Sequence, residues 1–300
     1  MSKTLIVITG PTGVGKTAAA IQVAQRLHCN IINADSRQIY RGIPICTAAP
    51  TPEQLAAVRH HFVAFKELEE SYSAAQFETD VMALLPSLWQ QGDYAVMCGG
   101  SMLYVDAVCR GIDSLPDISH EVRSAVKEKL TREGLESLVA ELEQLDPEYA
   151  ATIDRKNTSR VCHGVEICRQ AGVPYSTLRT GTAKQRDFNI VKLALNIERN
   201  ELFDRINRRV DRMLEAGLEQ EARSVYHLRR LNSLNTVGMK EMFAYFDGTM
   251  DRHTAIERMK KNTRVYAKKQ LTWYRRDPSI TWVTPASALS SALDLAGVVQ

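Results

Sequence analysis

Near the start of the chain, Gly10-Pro11-Thr12-Gly13-Val14-Gly15-Lys16-Thr17 restricts the fold more than any other stretch. It satisfies G-x-x-x-x-G-K-[ST], in which glycines let successive backbone N–H groups turn inward and cradle phosphate oxygens. Lys16 adds a point charge, the Thr17 hydroxyl can ligate Mg²⁺, and a helix starting here points its positive end at the same anion. The flanks agree with this reading. Thr4–Thr9 (TLIVIT) is a short apolar run that reads as a buried strand, and residues 16–27 (KTAAAIQVAQRL) carry helix formers at helical spacing. A chance match in a glycine-rich turn is the bland reading, and a strand before with a helix after argues against it.

Further strands are expected at residues 30–34 (NIINA), 94–98 (YAVMC) and 190–197 (IVKLALNI), with helices after the last two. Strands alternating with helices imply right-handed crossovers. The expected fold class is α/β: a P-loop NTPase-like, mostly parallel sheet flanked by helices. Residues 114–187 break the alternation, with helical patterns at 121–130, 136–145 and 158–170 before a Gly/Pro/Thr-rich loop at 172–182. They read as a helical insertion domain, leaving 1–113 and 188–300 as a discontinuous catalytic core. From Arg199 onward the pattern is again mainly helical, and no internal repeat or low-complexity tract occurs.

In open parallel sheets, ligands bind outside the carboxyl ends of the strands. Four groups fall there: the P-loop, Asp35-Ser36, Gly99-Gly100-Ser101 and the arginine-rich segment after Ile197. Asp35 suits a water-mediated Mg²⁺ contact or acceptance of a proton from a nucleophile, and equally suits a turn or helix cap. Gly99-Gly100 is either a plain turn or a point of close backbone approach to a ligand, with Ser101 presenting a hydroxyl. Arg199, Arg205, Arg208, Arg209 and Arg212 are interleaved with Glu201, Asp204 and Asp211, so most should form a solvated, ion-paired face. Arg205 and Arg212, two turns apart, share a side on which one can meet a phosphate.

The net charge of +3 is too small to speak for nucleic acid by itself, so distribution must. From Arg258 to Trp273 the chain holds Lys260, Lys261, Arg264, Lys268 and Lys269, followed by Arg275 and Arg276, without one acidic residue. Tyr266, Trp273 and Tyr274 are interleaved. Contact with a phosphate backbone is one reading; a helix packing a Met259-Tyr266-Trp273 stripe into the core is compatible with it. The six cysteines form no C-x-x-C pair and no zinc spacing, which favours free thiols in a reducing compartment. With neither a signal-peptide pattern nor a long apolar run, a cytoplasmic location away from membranes is expected.

A P-loop alone makes the chain a nucleotide- or ATP-binding candidate, but a diphosphate ester is also a chain of phosphates. From Asp35-Ser36-Arg37-Gln38-Ile39-Tyr40 onward the chain resembles the tRNA dimethylallyltransferases. The match runs through Gly99-Gly100-Ser101-Met102-Leu103-Tyr104, the Leu115-Pro116 turn with Arg123 after it, Asn235-Thr236-Val237-Gly238-Met239-Lys240-Glu241, and RVYAKKQLTW ending at Trp273. These motifs, in this order, span nearly the whole chain.

The resemblance implies transfer of a dimethylallyl group from dimethylallyl diphosphate to the exocyclic amine of the adenosine 3′ of the anticodon, in tRNAs reading codons that begin with U. It makes Asp35 the proton acceptor, Ser101 a hydroxyl on the diphosphate near the bridging oxygen, and Arg205 a stabiliser of the departing charge. Arg123 of the insertion also matters for activity. Gly10, Pro11, Thr12, Gly13, Val14, Gly15, Lys16 and Thr17 hold the diphosphate, with Mg²⁺ on Thr17. The tRNA surface is Asp35, Ser36, Arg37 and Gln38; Ser159, Arg160, Val161, Cys162 and His163; and Asn235, Thr236, Val237, Gly238, Met239 and Lys240. The insertion clasps the anticodon stem-loop, and the chain is expected to be a monomer.

Five positions depart from the family pattern: Cys46 and Ala49 where Gly and Lys are common, Ser101 for Thr, His163 for Arg, and Met239 for Tyr. The first pair would weaken substrate contact, and His163 with Met239 would alter tRNA discrimination. A small-molecule or nucleotide kinase shares the P-loop, Mg²⁺ and an acidic strand end, but not Asp35-Ser36-Arg37-Gln38 or the basic stretch. A prenyltransferase of free adenine nucleotides would not need the large insertion or that basic stretch, which favour tRNA. A non-catalytic P-loop RNA-binding protein would require Asp35 to be dispensable.

Overall fold

The structure, a computed structural model, describes residues 3–298. It divides into two compact units: residues 111–184 form one, and the described residues on either side form the other. The insertion thus begins and ends three residues earlier than the sequence pattern suggested.

The larger unit holds one six-stranded sheet in the order β3-β2-β4-β1-β5-β6, with β1 Thr4–Thr9, β2 Ile31–Asn33, β3 His60–His61, β4 Tyr94–Cys98, β5 Asn189–Leu195 and β6 Ile280–Val283. Every ladder is parallel. Sequence reading found the four inner strands but neither edge. β3 is two residues long and β6 four, too short for an alternation pattern to show.

Alternation along β1 explains its burial at all six positions. Ile6 and Ile8 pack with Ala19, Ala20, Val23 and Ala24 of the helix Lys16–Arg26 and with Ala288 and Ala292 near the C-terminus. Leu5 and Val7 point the other way, to Phe77, Val81 and Leu85 of the helix Ala74–Trp89 and Val105 and Val108 of the helix Met102–Arg110. Successive side chains of a strand face opposite sides, so a strand covered on both sides must be apolar throughout. The alanines of the first helix let its backbone lie close to the sheet.

A third cluster joins the segment after β2 to the C-terminal helices through Ile39, Ile43, Val210, Leu218, Met239, Met242 and Met259. It brings residues far apart in the chain to the carboxyl edge of the sheet. In the smaller unit, Gly134 (φ 81°, ψ 177°) splits the helical run His120–Leu145, matching the two separate patterns read there. Its core includes Val126, Leu138, Leu142, Tyr149, Val161 and Val165. Asp146, fully buried, caps two chain segments by accepting from Tyr149 N–H at 2.9 Å and from Ser176 N–H at 2.6 Å.

Candidate active site

A cavity of about 1260 Å³ opens at the carboxyl ends of β1, β2 and β4 and is walled by the helices Arg199–Glu215 and Arg252–Tyr274. Of the eight loop residues, Thr12, Gly13, Gly15, Lys16 and Thr17 line it. Gly10, Pro11 and Val14 are buried behind them. Gly10 has φ 133°, and a Cβ there would lie 2.6 Å from the Leu195 carbonyl oxygen of β5, so only glycine fits where β1 leaves the sheet.

Lys16 Nζ donates to the carbonyls of Gly10 (3.1 Å) and Pro11 (2.9 Å). Loss of water around the ammonium lowers its pKa from 10.5 to about 8, with Arg209 pushing the same way and Cys98 and Asp35 opposing. The lysine thus folds back onto the carbonyls of its own loop.

Asp35 follows β2. Its Oδ1 accepts from Arg37 N–H (2.9 Å) and Gln38 N–H (3.3 Å), so the turn-carboxylate reading is realised. Oδ2 has no hydrogen-bond partner among the described residues, and Asp35 lines the cavity. One carboxylate thus shapes the turn with one oxygen and leaves the other without a hydrogen bond among the described residues. Ser101 lines the same cavity. Its Oγ accepts from Ser36 N–H at 2.8 Å and donates to Ser36 Oγ at 3.1 Å, so the hydroxyl holds the residue beside Asp35.

Behind this contact lies an unusually close approach. A Cβ on Gly99 would fall 2.1 Å from the Ala34 carbonyl oxygen, and one on Gly100 would fall 2.4 Å from Gln270 Nε2. The glycine pair is a site of close packing between β2, β4 and a distant helix, beyond what a plain turn needs.

The arginine-rich helix is only partly the solvated face expected. Arg205 pairs with Glu201 at 2.7 Å and reaches the Val14 carbonyl at 3.4 Å, placing its guanidinium at the phosphate loop. Arg209, one turn on, lines the cavity and makes no hydrogen bond or ion pair with the described residues. Desolvation lowers its pKa, and the attraction of Asp35 opposes that. The sequence marked Arg205 but left Arg209 among the solvated residues; which arginine faces inward depends on the helix's rotation against the sheet.

The expected tRNA-contact residues fall into separate groups. Arg37 Nη1 donates to the carbonyls of Asn232 (2.7 Å) and Ser233 (3.1 Å), and Gln38 Nε2 to those of Thr47 (3.1 Å) and Ala48 (3.0 Å). Both side chains hold neighbouring loops. Asn235, Thr236, Val237, Gly238 and Lys240 line the cavity, but Met239 is fully buried in the third cluster, so its side chain is core. In the smaller unit, Ser159, Arg160 and His163 are exposed at the start of the helix Thr158–Ala171, Cys162 is half-buried, and Val161 is core. Arg123 is exposed on the helical run His120–Leu145, where its charge acts on His163 and Glu166.

Two features of the helix Arg252–Tyr274 correct the sequence reading. The buried side is Ala255, Met259, Ala267, Gln270 and Tyr274, while Tyr266 is exposed and lines the cavity. Within the basic stretch, Arg264 donates to Asn207 Oδ1 at 2.5 Å, Lys260 pairs with Asp211 at 2.8 Å, and Lys268 lies 5.4 Å from the Phe203 ring centre. Lys261 and Lys269 are exposed without such partners among the described residues. Gln270, part of the RVYAKKQLTW motif but given no role there, reaches the phosphate loop.

Among the described residues no cluster of three or more His, Cys, Asp or Glu offers a preformed metal cage. The Thr17 hydroxyl and the Asp35 carboxylate nonetheless open onto one cavity. That donor set fits Mg²⁺, which keeps several waters and takes few protein oxygens beside those of a phosphorylated substrate. No described helix is long and apolar enough to cross a membrane.

A protein-family model described as IPP transferase matches residues 38–277. The chain is 52% identical over 281 residues to tRNA dimethylallyltransferase 2 of Parabacteroides distasonis, covering 94% of each. It is 52% identical over 284 residues to tRNA dimethylallyltransferase 1 of Bacteroides fragilis, covering 95% of this chain and 94% of the relative. The solved full-length tRNA isopentenylpyrophosphate transferase of Bacillus halodurans superposes with a TM-score of 0.72 at 35% identity, covering 99% of this chain and 96% of that one. A eukaryotic dimethylallyltransferase acting on tRNA superposes at 0.76 with 28% identity, covering 99% of this chain and 78% of that one.

Proposed function

Because the chain belongs to the IPP transferase family and is a prenyltransferase that modifies tRNA, we propose that its donor is dimethylallyl diphosphate and its acceptor the exocyclic amine of the adenosine 3′ of the anticodon, in tRNAs reading codons that begin with U. The observation that carries this reading is the single cavity onto which a phosphate-binding loop, Arg205, Arg209 and the free oxygen of Asp35 all open.

Allylic C–O cleavage builds positive charge on carbon and negative charge on the leaving diphosphate. The loop amides, Lys16, Arg205 and Arg209 face that growing negative charge, and preorganised groups of this kind usually supply the largest share of a rate enhancement. Asp35 Oδ2 receives the proton released as the adenine nitrogen bonds to carbon. Ser101 keeps Ser36 and the Asp35 turn in place. Mg²⁺, held by Thr17 and diphosphate oxygens, would add charge neutralisation there.

An adenine stacked in an anticodon loop cannot reach Asp35, so it is extruded into the cavity, and loop bases are the cheapest to splay out. The helical unit, through Ser159, Arg160, His163 and Arg123, clasps the anticodon stem-loop, and Asn235, Thr236 and Lys240 meet the loop at the cavity. The enzyme works as a cytoplasmic monomer. A kinase is not favoured by relatives half identical over nearly the whole chain.

The test is incubation with dimethylallyl diphosphate or ATP, each with and without tRNA, followed by mass spectrometry of the nucleosides and assay of released phosphate. Prenylated adenosine formed only with the diphosphate and tRNA supports the reading. Robust tRNA-dependent ATP hydrolysis without prenylation overturns it.

A further inference from the structure

Gln270 sits 1% exposed on the helix Arg252–Tyr274, and its amide makes two hydrogen bonds to backbone of the catalytic edge. Its Oε1 accepts from Thr12 N–H in the phosphate loop at 2.8 Å, and its Nε2 donates to the Gly100 carbonyl at the end of β4 at 2.8 Å. We propose that Gln270 is a positioning residue for prenyl transfer, which sets the distance between the diphosphate loop and the end of β4, where Ser101 in turn holds the turn that carries the proton acceptor.

On the donor side, the bond to Thr12 fixes the first turn of a loop whose next residues, Gly13, Gly15, Lys16 and Thr17, line the cavity. On the acceptor side, Gly100 precedes Ser101, whose hydroxyl holds Ser36, the neighbour of Asp35. A planar amide, with N–H donors at one end and an acceptor oxygen at the other, can clamp an N–H and a carbonyl together. Gly100 has no side chain, which leaves room for that amide; a methyl there would lie 2.4 Å from Nε2. Tertiary packing alone could have filled this place with leucine or methionine, since the rest of the buried side of the helix is Ala255, Met259, Ala267 and Tyr274. A buried amide with both ends satisfied instead enforces one geometry.

The inference rests on the prenyl-transfer reading, and its test separates the two. Gln270→Met, of similar length, removes both hydrogen bonds; Gln270→Asn keeps an amide that is one methylene too short to span them. Wild type and both variants are compared by thermal unfolding, by calorimetric affinity for dimethylallyl diphosphate, and by kcat and KM for both substrates. The loop still carries its own phosphate-binding groups, so donor affinity and both KM values should stay within about threefold. With donor and proton acceptor misaligned, kcat should fall on the order of 10²-fold in Gln270→Met, the scale expected for a misplacement of about 1 Å. Gln270→Asn should also be slow.

An unchanged kcat in folded variants overturns the role. So does weaker donor binding at full kcat, which would make Gln270 a support for anion binding alone. Failure of both variants to fold would make it a stability element and overturn the role as well. A wild-type chain that transfers no prenyl group overturns the underlying reading, and the inference with it.

Discussion

Donor affinity should fall steeply with pH above about 8, and Lys16 is the cause. Enclosure lowers the free ammonium from 10.5 to about 8, while a diphosphate seated against it would return the pKa to at least its ordinary value. The free protein therefore loses this charge as pH rises through about 8, and the complex keeps it to beyond 10.5. Binding takes up a proton in that window, so affinity drops about tenfold per pH unit. The gap between 10.5 and about 8 sets the full loss at no less than roughly 300-fold, or about 3.4 kcal/mol. At pH 8.5 about three-quarters of a proton should be taken up per donor bound. An alkyl diphosphate is fully ionised above pH 8, as its final ionisation lies near 6, so the slope belongs to the protein. Cys46 and Cys98, both pushed up to about 12 by burial, stay outside the window. Calorimetry at pH 7, 8.5 and 9.5, in buffers of different ionisation enthalpy, measures affinity and proton uptake together. Lys16→Arg keeps its charge and should flatten the profile. A wild-type affinity constant within twofold across that range, or the same slope in Lys16→Arg, would refute the reasoning.

Asp35→Asn keeps an acceptor for Arg37 and Gln38 N–H, so the fold and tRNA affinity should be unchanged while single-turnover rates fall by roughly 10²-fold or more. A rate within tenfold of wild type would remove Asp35 from the proton-acceptor role. Lys261→Ala and Lys269→Ala, on the exposed side of the basic helix, should each lower the salt slope of tRNA binding by roughly one. Arg264→Ala should leave that slope alone and lower the melting temperature, because its guanidinium is tied to Asn207; the opposite assignment of slopes would show that the wrong side was chosen. Gly99→Ala should prevent folding, because its methyl meets the Ala34 backbone carbonyl at 2.1 Å. Gly100→Ala should fold and turn over slowly, because it meets the movable end of Gln270 at 2.4 Å; equal melting temperatures for the two variants would contradict this.

Several parts of this protein are determined locally and are therefore visible in the residue order. The β1–loop–helix unit needs an apolar β-branched run, glycines at positive φ and a helix former, all within residues 4–26. The four inner strands show because strands covered on both sides must be apolar throughout. The place of Asp35 at the cavity was legible because a residue just past the end of a buried strand falls at the carboxyl edge of the sheet by topology. The helical insertion was legible as a break in that alternation.

Other features follow from distances that no spacing encodes. β3 and β6 are edge strands that become strands only by pairing with β2 and β5. Arg209 faces the cavity, and Met239 and Val161 enter cores, because of how whole helices are rotated against their neighbours. Ser101 holds Ser36 across 65 residues of chain, and Gln270 reaches Thr12 across 258. A short-range pattern reports which residue types a segment contains and which side of it is apolar. Which polar atom meets which backbone group is decided only when remote segments pack, since a hydrogen bond requires placement to within a few tenths of an ångström.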